Sequence, residues 1–74
     1  MPLVEITLAE GRSPEQLRAL LSATTHAVSS SVGAPLESIR VVIREVARTH
    51  WAAGDVTIAE RDAARQATIE EETP

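Results

Sequence analysis

Pro2-Leu3-Val4-Glu5-Ile6-Thr7-Leu8-Ala9, followed by Glu10-Gly11-Arg12-Ser13-Pro14-Glu15-Gln16, is the stretch that decides the fold. Val4, Ile6 and Leu8 alternate with Leu3, Glu5 and Thr7. That is the period of a β-strand, and β-branched side chains favour one. Glu10-Gly11-Arg12 turns out of the strand, and Ser13 opens a helix. The Ser13 hydroxyl caps it, and Pro14 fits a first position that needs no N–H. Gln16 stands where a capping box places Glu or Gln.

Working outward, Leu17, Leu20, Leu21, Thr24, Val28 and Val32 recur at helical spacing, which predicts a helix from Pro14 to about Val32. Gly33 supplies a left-handed stop, with Pro35 close behind. Ile39 to Val46 predicts a second strand, with Ile39, Val41 and Ile43 on one face and Arg40, Val42, Arg44 and Val46 on the other. Strand, long helix, strand is a βαβ unit, so the strands are parallel and the crossover right-handed. The helix covers one face of this sheet. The other face mixes apolar Leu3, Val42 and Val46 with charged Glu5, Arg40 and Arg44. Two strands do not make an independently stable sheet, so the uncovered face calls for a partner subunit.

His50 to Asp55 reads as a turn region, and Val56-Thr57-Ile58 as a short strand or hairpin arm. Ala59 to about Ala67 reads as a short surface helix, because its charges fall all round. The fold class is α/β: a small β-α-β protomer with a parallel two-stranded sheet and a short C-terminal hairpin. Residues 2–67 form one domain. Residues 68–74, containing Glu70-Glu71-Glu72, read as an acidic, disordered tail.

Composition narrows the function. A chain of 74 residues makes one small domain, and such a domain buries only about 60% of its unfolded surface. The absence of cysteine excludes disulfides and thiolate metal sites, and His26 and His50 are far apart, so no metal site is expected. Oligomerisation remains as the supplement to a thin core. A net charge of −4 and a single aromatic residue, Trp51, argue against a nucleic-acid partner. No apolar run approaches the roughly 18 residues of a membrane span, and the N-terminus lacks the pattern of a signal peptide. The expected location is the cytoplasm.

Pro2 is a candidate proton carrier. Once Met1 is trimmed, proline at this position presents a free secondary amine. An α-amino group titrates at about 7.7 to 8.0, and burial or neighbouring cations lower that further. A base near the working pH suits general acid–base catalysis. Proline is nevertheless common at this position, and Arg12, just behind a turn, reads by itself as solvated surface. Arg40 and Arg44 are equally able to pair with Glu5 or Glu45 across an interface. The combination carries more than any one of them.

Five pieces taken together resemble the 4-oxalocrotonate tautomerase family of the tautomerase superfamily. They are Pro2 after Met1, Glu10-Gly11-Arg12-Ser13-Pro14-Glu15-Gln16, Ala34-Pro35-Leu36, Ser38-Ile39-Arg40-Val41-Val42-Ile43, and His50-Trp51 with Gly54. Order and spacing agree from Pro2 to about Ile58. The resemblance implies β-α-β protomers that pair into dimers, and a hexamer built as a trimer of dimers. It implies a cofactor-independent isomerase in which Pro2 moves a proton within an unsaturated 2-hydroxy or 2-oxo acid such as 2-hydroxymuconate, an intermediate of aromatic catabolism. It assigns Arg12 and Arg40, from different subunits, to the substrate's carboxylates, and Trp51 to an apolar wall.

The chain also departs from the family pattern. Ala9 stands where tautomerases carry a larger apolar residue and the related haloacrylate dehalogenases a second arginine, so it is expected to enlarge the pocket. Ala53 stands near the position of the dehalogenases' water-activating glutamate. Both weigh against the alternative of a hydratase or dehalogenase. Ala52-Ala53-Gly54-Asp55 replaces a more glycine-rich hairpin, and the chain runs about a dozen residues past a short family member. A further alternative is a subunit of a hetero-oligomer that lends its arginines to another subunit's proline.

Overall fold

Alternation along the first strand, the Ser13 cap and the Gly33 stop appear in the computed structural model where the residues place them. It describes the backbone of residues 1–72 and the side chains of residues 1–67. The first strand, β1, is Leu3–Ala9. The first helix, α1, is Pro14–Val32. Ser13 Oγ accepts from the Gln16 N–H at 3.2 Å and the Gln16 side chain accepts from the Ser13 N–H at 2.9 Å, closing the capping box. Gly33 ends the helix at φ 72°, ψ 21°, its N–H bonded to the Ser29 carbonyl at 3.0 Å.

The second strand, β2, is Arg40–Val46 and lies parallel to β1, from Leu3 opposite Arg40 to Ala9 opposite Val46. It starts one residue later than the alternation predicts. A 3₁₀ turn over Leu36–Ser38 ties the Ile39 N–H to the Leu36 carbonyl. Ile39 thereby becomes one of the most buried residues, at 7% exposure.

The two faces of the sheet differ as the sequence requires. Val4, Ile6, Leu8, Val41 and Ile43 are half-buried on the helix side. On the other side Leu3 is 59% and Val42 44% exposed. Among the described residues, Ile39 and Ala9 are the apolar side chains that are buried. The chain exposes 5516 Å² of surface, against about 4,400 Å² for a compact monomer of its mass. The bare sheet face contributes to that excess. Val32 closes the apolar stripe of α1 in sequence but stands exposed in the last turn, beyond the reach of the sheet.

Beyond β2 the structure corrects the sequence reading in three places. Ala52–Ala53 is a strand, β3, rather than turn, and it pairs antiparallel with β4, Val56–Thr57. Gly54 at φ 59° and Asp55 at φ 67° make the two-residue loop. Positive φ at both positions is the hairpin turn whose twist matches that of the strands, so the hairpin forms without the usual glycines. Ile58 belongs not to the strand but to a second helix, α2, Ile58–Glu72. A second capping box starts it: the Thr57 N–H donates to Glu60 Oε1 at 2.9 Å and the Glu60 N–H to Thr57 Oγ1 at 3.0 Å.

The helix passes the predicted end near Ala67 and runs to Glu72, over a sequence whose Glu70-Glu71-Glu72 are good helix formers. Charges all round show that a helix is exposed, not that it is short. The expectation of an acidic tail falls largely outside the described residues: residues 73–74 entirely, and the side chains from 68 onward. No described helix is long and apolar enough to cross a membrane.

Candidate active site

The parallel register distributes the five candidate residues between the two ends of the sheet. Pro2 and Arg40 share the end where both strands begin. The Arg40 N–H donates to the Pro2 carbonyl at 3.0 Å, which extends the ladder by one bond and fixes the proline beside the arginine. Pro2 is half-buried, and Met1 before it is 89% exposed. The Arg40 guanidinium uses Nη1 to donate to the Glu37 carbonyl at 2.7 Å. A guanidinium has five N–H donors, so this bond orients it and leaves most of its fork for a ligand.

Ala9, Arg12 and Trp51 sit at the other end, where the strands finish. Arg12 donates from Nη1 to the Ala9 carbonyl at 3.1 Å across the turn that follows β1. Ala9 itself is 9% exposed. Trp51 follows a 3₁₀ turn, Arg48–His50, and begins the hairpin. Its carbonyl accepts from the Ile58 N–H at 2.9 Å, and the residue is 37% exposed.

Seven extended residues separate the two groups. At about 3.3 Å per residue that is roughly 23 Å, so Pro2 does not meet Arg12 of its own chain. An open depression along α1, lined by Pro14, Glu15, Arg18, Ala19 and Ser22, contains none of the five. Among the described residues neither Arg12 nor Arg40 forms an ion pair. Glu5 faces Val42 in the register, between Arg40 and Arg44, and no bridge to either forms within the protomer. No group of three His, Cys, Asp or Glu among the described residues is disposed to hold a metal ion.

The sequence reading did not single out Arg48. Its Nε donates to the Glu10 carbonyl at 2.9 Å and its Nη1 to Asp62 Oδ2 at 3.0 Å. Partners 38 and 14 positions away leave no periodic trace. By contrast, Thr57-x-x-Glu60 at the start of α2 is a capping signature that the sequence does display.

Comparison with known proteins gives the arrangement its context. The family model described as tautomerase enzyme matches residues 2–61. A probable tautomerase of Ralstonia nicotianae is 46% identical over 56 residues, covering 76% of this chain and 80% of that one. A 2-hydroxymuconate tautomerase of Pseudomonas putida is 44% identical over 54 residues, covering 73% and 86%. Among solved structures, the 4-oxalocrotonate tautomerase homologue TomN of the tomaymycin biosynthetic pathway superposes with a TM-score of 0.82 at 42% identity, over 84% of this chain and 95% of that one. A heterohexameric 4-oxalocrotonate tautomerase from Chloroflexus aurantiacus does so with a TM-score of 0.78 at 42% identity, over 81% and 97%. A match of this extent, on a β-α-β protomer whose Pro2 stands beside a strand arginine, decides the question: the chain belongs to the tautomerase family of isomerases.

Proposed function

We propose that the protein is a cofactor-independent keto–enol tautomerase acting on an unsaturated 2-hydroxy or 2-oxo dicarboxylate such as 2-hydroxymuconate, in aromatic catabolism in the cytoplasm. The observation that carries this reading is the pairing of Pro2 with Arg40 at one end of the sheet, with Arg12 free of any ion pair among the described residues at the other. A substrate with a carboxylate at each end needs two separated cations, and guanidinium binds carboxylate bidentately.

Removal of Met1 converts the Pro2 amide nitrogen into a secondary amine. Its lone pair takes the hydroxyl proton of the dienol. The electrons shift along the diene towards the far carbon, and the prolinium returns the proton there. Bonds and charge balance with no external oxidant or reductant. Arg40 binds the near carboxylate and stabilises the negative charge that grows on the 2-oxygen during transfer. Its field also disfavours protonated Pro2, which keeps the amine basic. Arg12 of another subunit holds the far carboxylate. Trp51 supplies an apolar wall that excludes water and strengthens these interactions, and Ala9 leaves room beside it.

Such a site exists only in an assembly. The bare sheet face fits a dimer, and a homohexamer built as a trimer of dimers brings opposite ends of different protomers together. A second reading is favoured by likeness to the Chloroflexus heterohexamer: the chain is one of two unlike subunits. Native mass measurement of the protein alone separates them, since an obligate partner subunit fails to close a homohexamer.

The activity test is the ultraviolet rate of 2-hydroxymuconate ketonisation by protein whose mass confirms loss of Met1, beside Pro2→Ala. A fast rate that collapses in the variant is expected. No rate above buffer from processed homohexamer would overturn the reading.

A further inference from the structure

The turn that carries Arg12 is gripped from outside by Arg48. Nε of Arg48 holds the Glu10 carbonyl at 2.9 Å. Nη1 of the same guanidinium holds Asp62, in the second turn of α2, at 3.0 Å. Nη2 passes so close to Gly11 that a Cβ at that residue would stand 2.9 Å from it. Gly11 adopts φ 131°, a conformation L side chains rarely take. Glycine there serves the backbone and also lets the guanidinium lie against it. The Glu10 N–H is bonded to the Val46 carbonyl at 2.9 Å, and Arg12 reaches back to the Ala9 carbonyl. The turn is thus fixed at its entry by β2, along Glu10–Gly11 by Arg48, and from α2 through Asp62.

We propose that Arg48 is a positioning residue for Arg12, and that α2 takes part in substrate recognition by fixing Arg48 through Asp62. The inference rests on the reading of Arg12 as a carboxylate-binding arginine. Bidentate recognition of a carboxylate depends on the plane and direction of the fork. An arginine behind a glycine turn swings freely unless the turn is held, and ordering it on binding costs affinity. The Arg48–Asp62 pair is 41% and 45% exposed at its two side chains, and exposed pairs add little to global stability. Its effect is therefore on local geometry. Asp62 lies just past the residues matched by the family model, so the outer half of the clamp belongs to this chain's own C-terminal helix.

The test compares Arg48→Ala, Arg48→Lys and Asp62→Asn in the Met1-processed oligomer, each alone and with Arg12→Ala. For the dicarboxylate, Arg48→Ala is expected to lower kcat/KM about tenfold, mostly through KM, as a displaced binding group does. An analogue lacking the far carboxylate should change less than about twofold, and so should the dicarboxylate in the Arg12→Ala background, because residues acting through one another are not additive. Arg48→Lys keeps the charge but not the fork, and should recover only part of the loss. A tenfold loss that persists without Arg12, or that falls equally on both substrates through kcat, would overturn the proposal.

Asp62→Asn leaves Arg48 and the turn chemically intact and guards against a misfolded Arg48→Ala. If the unmodified protein shows no ketonisation, the functional reading fails by itself. The clamp is then judged by ¹⁵N relaxation at Arg12 Nε and at the amides of residues 11–13. Added disorder there in Asp62→Asn supports it, and unchanged order removes it.

Discussion

At the start of the parallel strands, Pro2 and Arg40 are joined by a ladder hydrogen bond and placed by the regular backbone of the sheet. At their finish, Arg12 and Trp51 sit on turns, held by long-range side-chain contacts and by a two-residue-strand hairpin. One end is positioned by secondary structure and the other by tertiary contacts. The seven residues of β1 keep the two ends apart. On the proposed function they are complementary halves of one site, which a symmetric assembly joins.

The sharpest way to break this comparison is to inactivate each end in a separate chain. Pro2→Ala and Arg12→Ala homo-oligomers should each lose activity, by roughly 10²- to 10⁴-fold for the acid–base residue. Unfolding and refolding the two together should restore about a quarter of the sites, because each site then draws a sound proline from one chain and a sound arginine from another. Activity assays on the mixture decide it, and no recovery would place both residues in one chain.

The next largest effect concerns the face that joins the halves. Val42→Glu sets a carboxylate opposite Glu5 on the bare sheet, where like charges face each other in a closed interface. Dissociation of the oligomer is expected by size-exclusion light scattering, with loss of activity at both ends. An intact oligomer would show that this face meets water.

Ser13→Ala removes the cap of α1, at the Arg12 end of the sheet, and should cost about 1 kcal/mol in chemical denaturation. Activity of the folded fraction should fall little, because the Arg12 turn is held by other contacts.

The smallest effect is on pH. Hydrogen bonds from the Thr57 backbone N–H and then its hydroxyl hold the Glu60 carboxyl below its ordinary value. A lowered folded pKa means the carboxylate supports the start of α2 above the unfolded value. That support disappears as pH falls through the folded one. Backbone chemical shifts over residues 57–62 should show the first turn loosening only under acid conditions. Glu60→Ala should show it at neutral pH, with no effect on Pro2 or Arg40 at the other end.

How much of this was legible beforehand follows from the range of the forces involved. The alternation of β1, the Ser13–Gln16 box, the apolar stripe of α1 and the Gly33 stop are local, and each acted where the residues predict. The bare face was legible too, because Leu3 and Val42 share it with charges, and both are exposed in the structure. The hairpin was legible in outline, but its first arm over Ala52–Ala53 and the length of α2 were not. In the hairpin two alanines pair where Gly54 and Asp55 both take positive φ, and the Thr57–Glu60 box that launches α2 overlaps the segment whose β-branched residues read as a strand.

The sequence by itself determined the βαβ unit and called for a partner, since periodicity and caps are written in neighbouring positions, and its resemblance to the 4-oxalocrotonate tautomerase family supplied the candidates Pro2, Arg12, Arg40 and Trp51. Only the tertiary structure decided that these candidates fall at opposite ends of one sheet, and that Arg48 grips the Arg12 turn from 38 positions away. Parallel register and side-chain reach across the fold arise when distant segments pack, and no local pattern encodes them.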